Sequence, residues 1–330
     1  MRLGFVLAGA AALPAAEFAD IVRETEARGY HTAWTGETGG YDAIAVMATI
    51  LARSTRLNVG SAVVPVQTRT PTLLGMSAAT LGHLAPGRVA LGIGLSSRII
   101  VEQWHGLKYS AALAQIREAV QIIRLVTAGE RVNFEGEFYR VKNFRLSAPA
   151  APVRVVLAAL GPEMLELAGE IADGVVLNWI PPEAVPASIA HLKAGARRAG
   201  RPLEGLEIAC FIRTCVTDDV ESARAALARD ITAYAIVDVY ASFFRTAGFG
   251  AEVDAVNRRW QAGDRAGAVG EISPRVLDGL GVVGDAAVCR ARLDAFARAG
   301  LTMPVVLPFN PAAGGDPRPA LLRTLRAFGA

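Results

Sequence analysis

The stretch VRVVLAALGPEMLELAGEIADGVVL, residues 153–177, contains the pattern that decides the fold. It begins with an apolar, β-branched run at residues 153–157, which predicts a buried strand. A helix is predicted from Pro162, because proline is favoured in the first turn of a helix. A second apolar run follows at residues 175–177. A strand, a helix and a strand in this order form a βαβ unit, whose two strands run parallel.

The same alternation of short apolar runs and helical patterns extends along the chain in both directions. The other predicted strands are residues 3–7, 31–35, 57–64, 89–93, 208–216 and 305–307. Together with the quoted pair they make eight, which predicts an α/β fold of the (β/α)8 or TIM-barrel type. An open doubly wound sheet is the alternative. We expect one domain over residues 1–330, because such barrels often exceed about 250 residues as a single domain.

Two predicted segments are additional to the eight strand–helix units of a minimal barrel. Residues 130–147 have the pattern of a short hairpin, and residues 238–281 predict a helical insertion, the longest one, before strand 8. The apolar run at residues 3–12 follows Arg2 and imitates a signal peptide. We favour barrel strand 1 for it, because its removal would leave only seven strand–helix units.

The composition excludes several classes of function. Charged residues make up 20% of the chain with a net charge of +3, and no run of Lys and Arg alternates with aromatic residues, so nucleic acid is not an expected partner. No apolar run reaches the roughly 18 residues that span a bilayer. The three cysteines form no CxxC pair, which predicts buried thiols in the cytoplasm, and the four histidines show no metal-binding spacing.

The candidate site residues follow the predicted strands, since a TIM barrel carries its chemistry at the carboxyl ends of its strands. Glu37 follows strand 2; it either faces a ligand or holds its own loop through backbone N–H groups. His105, after strand 4, is either a proton donor or an ordinary loop histidine. Asn178 and Trp179 end strand 6; they line a planar ligand's pocket or simply cap and pack the strand end. These candidates are read from position alone.

A possible phosphate site lies at the start of the helix after strand 5. The free N–H groups around Gly161, Pro162, Glu163 and Met164 can hold a phosphate. The alternative is an ordinary helix start, with proline in the first turn and an acidic side chain placed favourably for the helix dipole. An inward Glu163 would repel a phosphate.

Several motifs taken together resemble the luciferase-like monooxygenase superfamily, and within it the branch that uses the deazaflavin coenzyme F420. These are AWTGE at residues 33–37, VGSAV at 59–63 with RTP at 69–71, GRVALGIG at 87–94, and AALGPEMLELAG at 158–169 with ADGVV at 172–176. The branch includes methylenetetrahydromethanopterin reductase and F420-dependent glucose-6-phosphate dehydrogenase. The motifs are less specific for F420 than for the superfamily, so flavin mononucleotide is the alternative cofactor.

The resemblance implies a cofactor across the barrel mouth and a homodimer of subunits. The ring would pack against Ala62 and Val63, joined by a non-proline cis peptide in relatives. The other implied cofactor contacts are Ser96, Ser97, Ala159, Gly161, Pro162, Glu163, Met164, Asn178 and Trp179. Hydride would pass between the ring and a small organic substrate. The insertion before strand 8 would serve as a lid or wall.

This chain departs from the sugar-phosphate enzyme at its catalytic positions. Thr38 stands where that enzyme has a histidine, Glu37 falls at a neighbouring aspartate, and Ser97 replaces a glutamate. Glucose 6-phosphate is therefore not the expected substrate, and Glu37 and His105 become the candidate catalytic residues. The alternatives for function are a reduced-FMN-dependent monooxygenase and a non-catalytic flavin-binding relative.

Overall fold

The computed structural model describes residues 1–110, 112–312 and 314–329. Its strands are β1 (Gly4–Val6), β2 (Thr32–Thr35), β3 (Asn58–Ser61), β4 (Val64–Pro65), β5 (Val89–Gly94), β6 (Val132–Glu135), β7 (Arg140–Phe144), β8 (Arg154–Ala158), β9 (Gly174–Asn178), β10 (Glu207–Val216), β11 (Gly281–Gly284) and β12 (Met303–Pro308).

The helices alternate with these strands over most of the chain. They are α1 (Ala15–Ala27), α2 (Ala43–Arg53), α3 (Pro71–Leu84), α4 (Leu113–Thr127), α5 (Pro162–Ile171), α6 (Val185–Arg198), α7 (Val220–Ala235), α8 (Asp238–Phe244), α9 (Gly250–Gln261), α10 (Arg265–Gly270), α11 (Pro274–Leu280), α12 (Ala286–Arg298) and α13 (Arg318–Phe328).

The strand order closes on itself. From β10 it runs through β12, β1, β2, β3, β5, β8 and β9, and β9 pairs with β10 again. The neighbouring strands run parallel, as in β1 with β12 and β8 with β9. This is the predicted (β/α)8 barrel, and the open doubly wound sheet is excluded. Residues Gly4 and Phe5 pair with Val305 and Val306, so the strand-1 interpretation of this segment is confirmed.

The predicted third strand, residues 57–64, is divided in two. β3 pairs with β5 at Val59 and Gly60, and β4 pairs with it again further along. Between them the hydroxyl of Ser61 donates to the carbonyl of Gly92 and accepts from its N–H, so a side chain replaces the backbone ladder. The bond between Ala62 and Val63 is cis, as the resemblance implied.

Both predicted insertions are present. β6 and β7 form the antiparallel hairpin within residues 130–147. Helices α8 to α11 lie within residues 238–280, where the helical insertion was predicted. The strand β11 that follows was not predicted, because GVVG is only four residues long and half glycine. It pairs in parallel with β10 and lies outside the closed ring.

The chain divides into two compact units. The first, called here the N-terminal unit, comprises Val6–Val176 and Ala190–Ile208. The second, the C-terminal unit, comprises Met1–Phe5, Leu177–Ile189 and the chain from Ala209 onward. A single domain over residues 1–330 therefore stays a prediction. No helix in the part of the chain that the structure describes is both long and apolar enough to cross a bilayer.

Each unit has its own apolar core. In the N-terminal unit Trp34 of β2, Met47 and Ile50 of α2 and Leu74 of α3 are fully buried. In the C-terminal unit the insertion helices pack around Trp179 and Phe244. Close packing in these cores restrains the strand ends, and the candidate site residues follow those strand ends.

Candidate functional site

The two residues implied to lie under a cofactor ring sit on a tightly packed floor in the N-terminal unit. A Cβ added at Gly36 would lie 2.9 Å from the carbonyl oxygen of Ala62. A Cβ added at Gly94 would lie 3.0 Å from Cγ2 of Val63. Ala62 and Val63 are themselves half-buried. Gly36 and Gly94 therefore pack closely against this peptide on two sides, and a larger residue at either position would press on Ala62 or Val63.

Glu37 lies in the same place, since its backbone N–H donates to the carbonyl of Val63 at 3.2 Å. Its carboxylate accepts two hydrogen bonds from Arg69, at 3.1 and 2.9 Å, and a third from the N–H of Ala43 at the start of α2. Arg69 also binds Asp42, the residue that caps α2. The Ala43 contact is of the kind that the structural alternative predicts, the pairing with Arg69 was not predicted, and the catalytic role of Glu37 stays a prediction.

Hydrogen bonds and ion pairs hold Glu37, Asp42 and Arg69 together. Burial by itself would raise the pKa of Asp42, but hydrogen bonds from the N–H of Ala45 and from Arg69 hold that pKa below its ordinary value. The side chains of Arg69 and Glu37 are only 19% and 17% exposed. The ion pair is therefore partly shielded from solvent, and it ties the loop after β2 to the loop after β4.

The loop after β5 is held by hydrogen bonds between side chains and the backbone. The N–H of Ser96 donates to the side chain of Gln67 at 3.2 Å, and the same side chain donates to the carbonyl of Ser110. The hydroxyl of Ser97 accepts from the N–H of Ile100 and begins a π-helical turn. His105 ends this turn and is exposed. The role of Gln67 is not apparent from the sequence, because its partner Ser110 lies 43 residues away.

The predicted phosphate site has the geometry of an uncapped helix start. Gly161 precedes α5 and has no side chain with which to accept from the first N–H groups, and Pro162 supplies no N–H. Gly161, Pro162 and Glu163 are exposed. Ala159 is instead buried, and its N–H donates to the carbonyl of Val176. The N–H groups of Glu163 and Met164 are thus the ones placed to bind an anion.

Asn178 and Trp179 belong to the C-terminal unit and have different surroundings. The indole of Trp179 is buried, with the guanidinium of Arg213 at 3.6 Å from its ring centroid and Tyr234 at 5.1 Å. The Asn178 side chain accepts from Arg213 and donates to the hydroxyl of Tyr240 at 3.2 Å. This is the packed-indole alternative for Trp179, so its contact with a cofactor stays a prediction.

Arg213 and Tyr240 organise this cluster, and the sequence analysis missed both. The side chain of Arg213 is only 6% exposed. Burial raises the pKa of the Tyr240 hydroxyl, and the neighbouring Tyr234 adds to the effect, so the phenol keeps its proton. The available signal was Arg213 itself, a charged residue within the apolar run of residues 208–216. A long charged side chain inside a strand needs partners, and these come from the end of β9, through Asn178 and Trp179, and from α7, through Asp230 and Tyr234.

The predicted buried thiols are confirmed. Cys210, Cys215 and Cys289 are free and buried. Burial raises their pKa to about 12, about 11 and about 12 respectively. They are therefore poor nucleophiles near neutral pH. Within residues 1–110, 112–312 and 314–329, no group of three His, Cys, Asp or Glu side chains is placed to hold a metal ion.

The chain has relatives over nearly its whole length. It is 31% identical, over 93% of its length and 94% of the relative's, to a protein of Mycobacterium tuberculosis named as a coenzyme F420-dependent oxidoreductase. It is 26% identical to the 5,10-methylenetetrahydromethanopterin reductase of Archaeoglobus fulgidus, over 86% of this chain and 87% of that one.

A solved structure has the same fold. The coenzyme F420-dependent tetrahydromethanopterin reductase of Methanopyrus kandleri superposes with a TM-score of 0.81 over 99% of this chain and 96% of its own, at 20% identity. The sequence profile of the luciferase-like monooxygenase family matches residues 1–303. Because this profile match covers most of the chain, the chain belongs to the luciferase-like monooxygenase family.

Proposed function

We propose that this chain is an F420-dependent oxidoreductase that transfers a hydride between the deazaflavin and a small organic substrate. The observation that carries the proposal is the floor at Ala62 and Val63, against which Gly36 and Gly94 pack closely without side chains of their own. A planar ring system needs such a surface. The relatives named for F420 support the same cofactor, and their similarity covers most of both chains.

Residues of this chain are proposed to bind the two ends of F420, its deazaflavin ring and its phosphate. Ala62 and Val63 would lie under the ring, and the uncapped N–H groups of Glu163 and Met164, next to Gly161 and Pro162, would bind the phosphate. The remaining proposed contacts are Ser96, Ser97, Ala159, Asn178 and Trp179. Bound F420 would supply the redox chemistry, and the protein would supply orientation and exclude water.

Two groups are proposed for proton transfer to or from the substrate. Glu37 lies beside the floor, but its carboxylate is engaged by Arg69 and Ala43. His105 is exposed at the end of its turn and has no such constraint. A Glu37→Gln variant separates a catalytic carboxylate from a structural one, as developed below.

The alternative function is a reduced-FMN-dependent monooxygenase, which the name of the matched family favours. Titrations of the purified protein with F420 and with FMN, followed by fluorescence, distinguish the two. We expect F420 to bind tightly and FMN weakly. The opposite preference would replace our proposal with the monooxygenase. F420 binding without turnover across a substrate screen would indicate a non-catalytic relative.

We also propose that the protein is a cytoplasmic homodimer with a single catalytic domain. Leu73, Met76 and Leu84 of α3 are large apolar side chains exposed at 41–60%. A second copy covering this helix would remove them from water. Light scattering coupled to gel filtration measures the mass, and a monomer at micromolar concentration would contradict the dimer.

A further inference from the structure

The C-terminal unit contains a cavity of about 870 Å³ that none of the roles above uses. Its wall combines three arginines, two carboxylates, apolar side chains and the backbone of β11. Its charged and aromatic lining residues are Arg224, Arg275, Arg292, Glu183, Asp278 and Phe249. A cavity of this size holds a small metabolite.

Two of the three arginines already have strong partners. Arg224 binds the carboxylate of Asp278. Arg275 donates to both carboxylate oxygens of Glu252, at 3.0 and 3.1 Å, and to the carbonyl of Gly248. The positive charge of each is therefore balanced by a carboxylate, and neither has charge left over for a ligand.

Arg292 is different. Its Nη2 donates to the backbone carbonyl of Asp278 at 2.8 Å, which provides no negative charge. The nearest carboxylate is that of Glu183, 3.7 Å away and 73% exposed, which is too far for a hydrogen bond. Its Nε is buried and has no hydrogen-bond partner in the part of the chain that the structure describes. The Arg292 side chain as a whole is 28% exposed and lines the cavity, so a ligand would approach the part of the guanidinium that is not buried.

We infer that this cavity binds a small organic carboxylate through Arg292. The charges favour one negative charge over two, since Arg224 and Arg275 are each paired with a carboxylate and only Arg292 is weakly paired, through a 3.7 Å contact with the exposed Glu183. A planar carboxylate matches two parallel N–H donors of a guanidinium, whereas a dianionic phosphate would bring a second negative charge that the wall does not balance and that Glu183 would repel.

The apolar part of the cavity wall indicates the chemistry of the rest of the ligand. Phe249, Val288, Ala184, Ala187 and Ala247 give the cavity an apolar side. A hydrocarbon or aromatic group attached to the carboxylate would cover these side chains and add to the affinity through the hydrophobic effect. The expected ligand is thus amphipathic, with one carboxylate at Arg292.

Benzoate is the probe for this site, with benzyl alcohol and phenyl phosphate as comparisons. The titrations use F420-loaded protein and ligand-observed NMR, so that anion binding at the start of α5 does not contribute. We expect benzoate to bind with a dissociation constant of about 1 mM, typical of one charge-assisted contact and a small apolar group. Benzyl alcohol should bind at least about tenfold more weakly.

The variants identify the residue responsible. Arg292→Gln should weaken benzoate binding about tenfold or more. Arg298→Gln, the same charge change on an exposed residue of α12, should leave it unchanged. Glu183→Gln should tighten binding a few-fold by removing a neighbouring negative charge. Since Glu183 is exposed, this variant tests the inference even if Arg292→Gln fails to fold.

Three results would overturn the inference. Benzoate bound equally well by Arg292→Gln would place it elsewhere. Phenyl phosphate bound more tightly than benzoate, in a manner that depends on Arg292, would contradict the single negative charge. Unchanged or weaker binding by Glu183→Gln would contradict the charge balance from which the ligand class is inferred.

Discussion

Two arginines, one in each compact unit, hold the candidate site residues in opposite ways. Arg69 in the N-terminal unit is balanced by the carboxylates of Glu37 and Asp42. Arg213 in the C-terminal unit is more deeply buried, and its nearest carboxylate, Asp230, is 3.3 Å away and 44% exposed. Its charge is stabilised mainly by the face of Trp179 and the amide oxygen of Asn178. The first arrangement depends on pH and salt, and the second depends on packing.

Arg213→Ala should give the largest effect and test the packed arrangement. The change leaves the Asn178 amide oxygen without its donor and removes the cation from the Trp179 face. We expect a loss of about 3 kcal/mol in the free energy of unfolding. Denaturant unfolding measures it, with the exposed Arg229→Ala on α7 as control. A loss below about 1 kcal/mol would show that the apolar core alone fixes Trp179.

Glu37→Gln tests whether the ion-paired arrangement also serves chemistry. The change keeps the shape of the side chain and removes its charge. As a catalytic group, Glu37 should lose about 100-fold in turnover on an identified substrate while F420 binding is retained. The matched control is Glu102→Gln, which makes the same change at a carboxylate in a different loop, the one after β5. Unchanged turnover would leave Glu37 as a structural partner of Arg69 and direct attention to His105.

Arg69→Ala should have a smaller effect that depends on pH. The loss of a partly shielded pair should cost about 1–2 kcal/mol near neutral pH. The pKa of Asp42 is lowered in the folded state, so its stabilising contribution is present above its ordinary pKa of 3.8 and is lost as the pH falls through the lower folded value.

The difference in unfolding free energy between wild type and Arg69→Ala should therefore narrow below about pH 4. Urea titrations at several pH values measure it, and Arg53→Ala at the exposed end of α2 serves as control. A difference that stays constant into acid would mean that Arg69 acts through packing, as Arg213 does.

Tyr240→Phe should give the smallest effect and sharpen the description of the Arg213 cluster. It removes the hydroxyl that accepts from Asn178 and keeps the ring that packs on Tyr234. We expect about 1 kcal/mol of destabilisation, the usual contribution of one hydrogen bond. Calorimetry measures the change in Tm against Tyr41→Phe, an exposed control. No change would show that water replaces the hydroxyl at Asn178.

The candidate site could be predicted in part. Glu37 and His105 follow β2 and β5, as their positions past the predicted strands indicated, because a parallel barrel brings its strand ends to one side; their roles stay a prediction. The partners of these residues could not be read from the same pattern. Arg69 lies 32 residues from Glu37, and Arg213 lies 35 residues from Asn178. Nothing local in the chain selects such pairs.

The sequence by itself determined which segments form the barrel strands, the hairpin and the helical insertion, because apolar periodicity and turn residues act over a few neighbours. The tertiary structure alone decided the division of the third strand at Ser61, the addition of β11 and the burial of Trp179 against Arg213. Each of these depends on a contact between residues far apart in the chain. Such contacts form only when the barrel closes and the core excludes water, so a short-range pattern does not encode them.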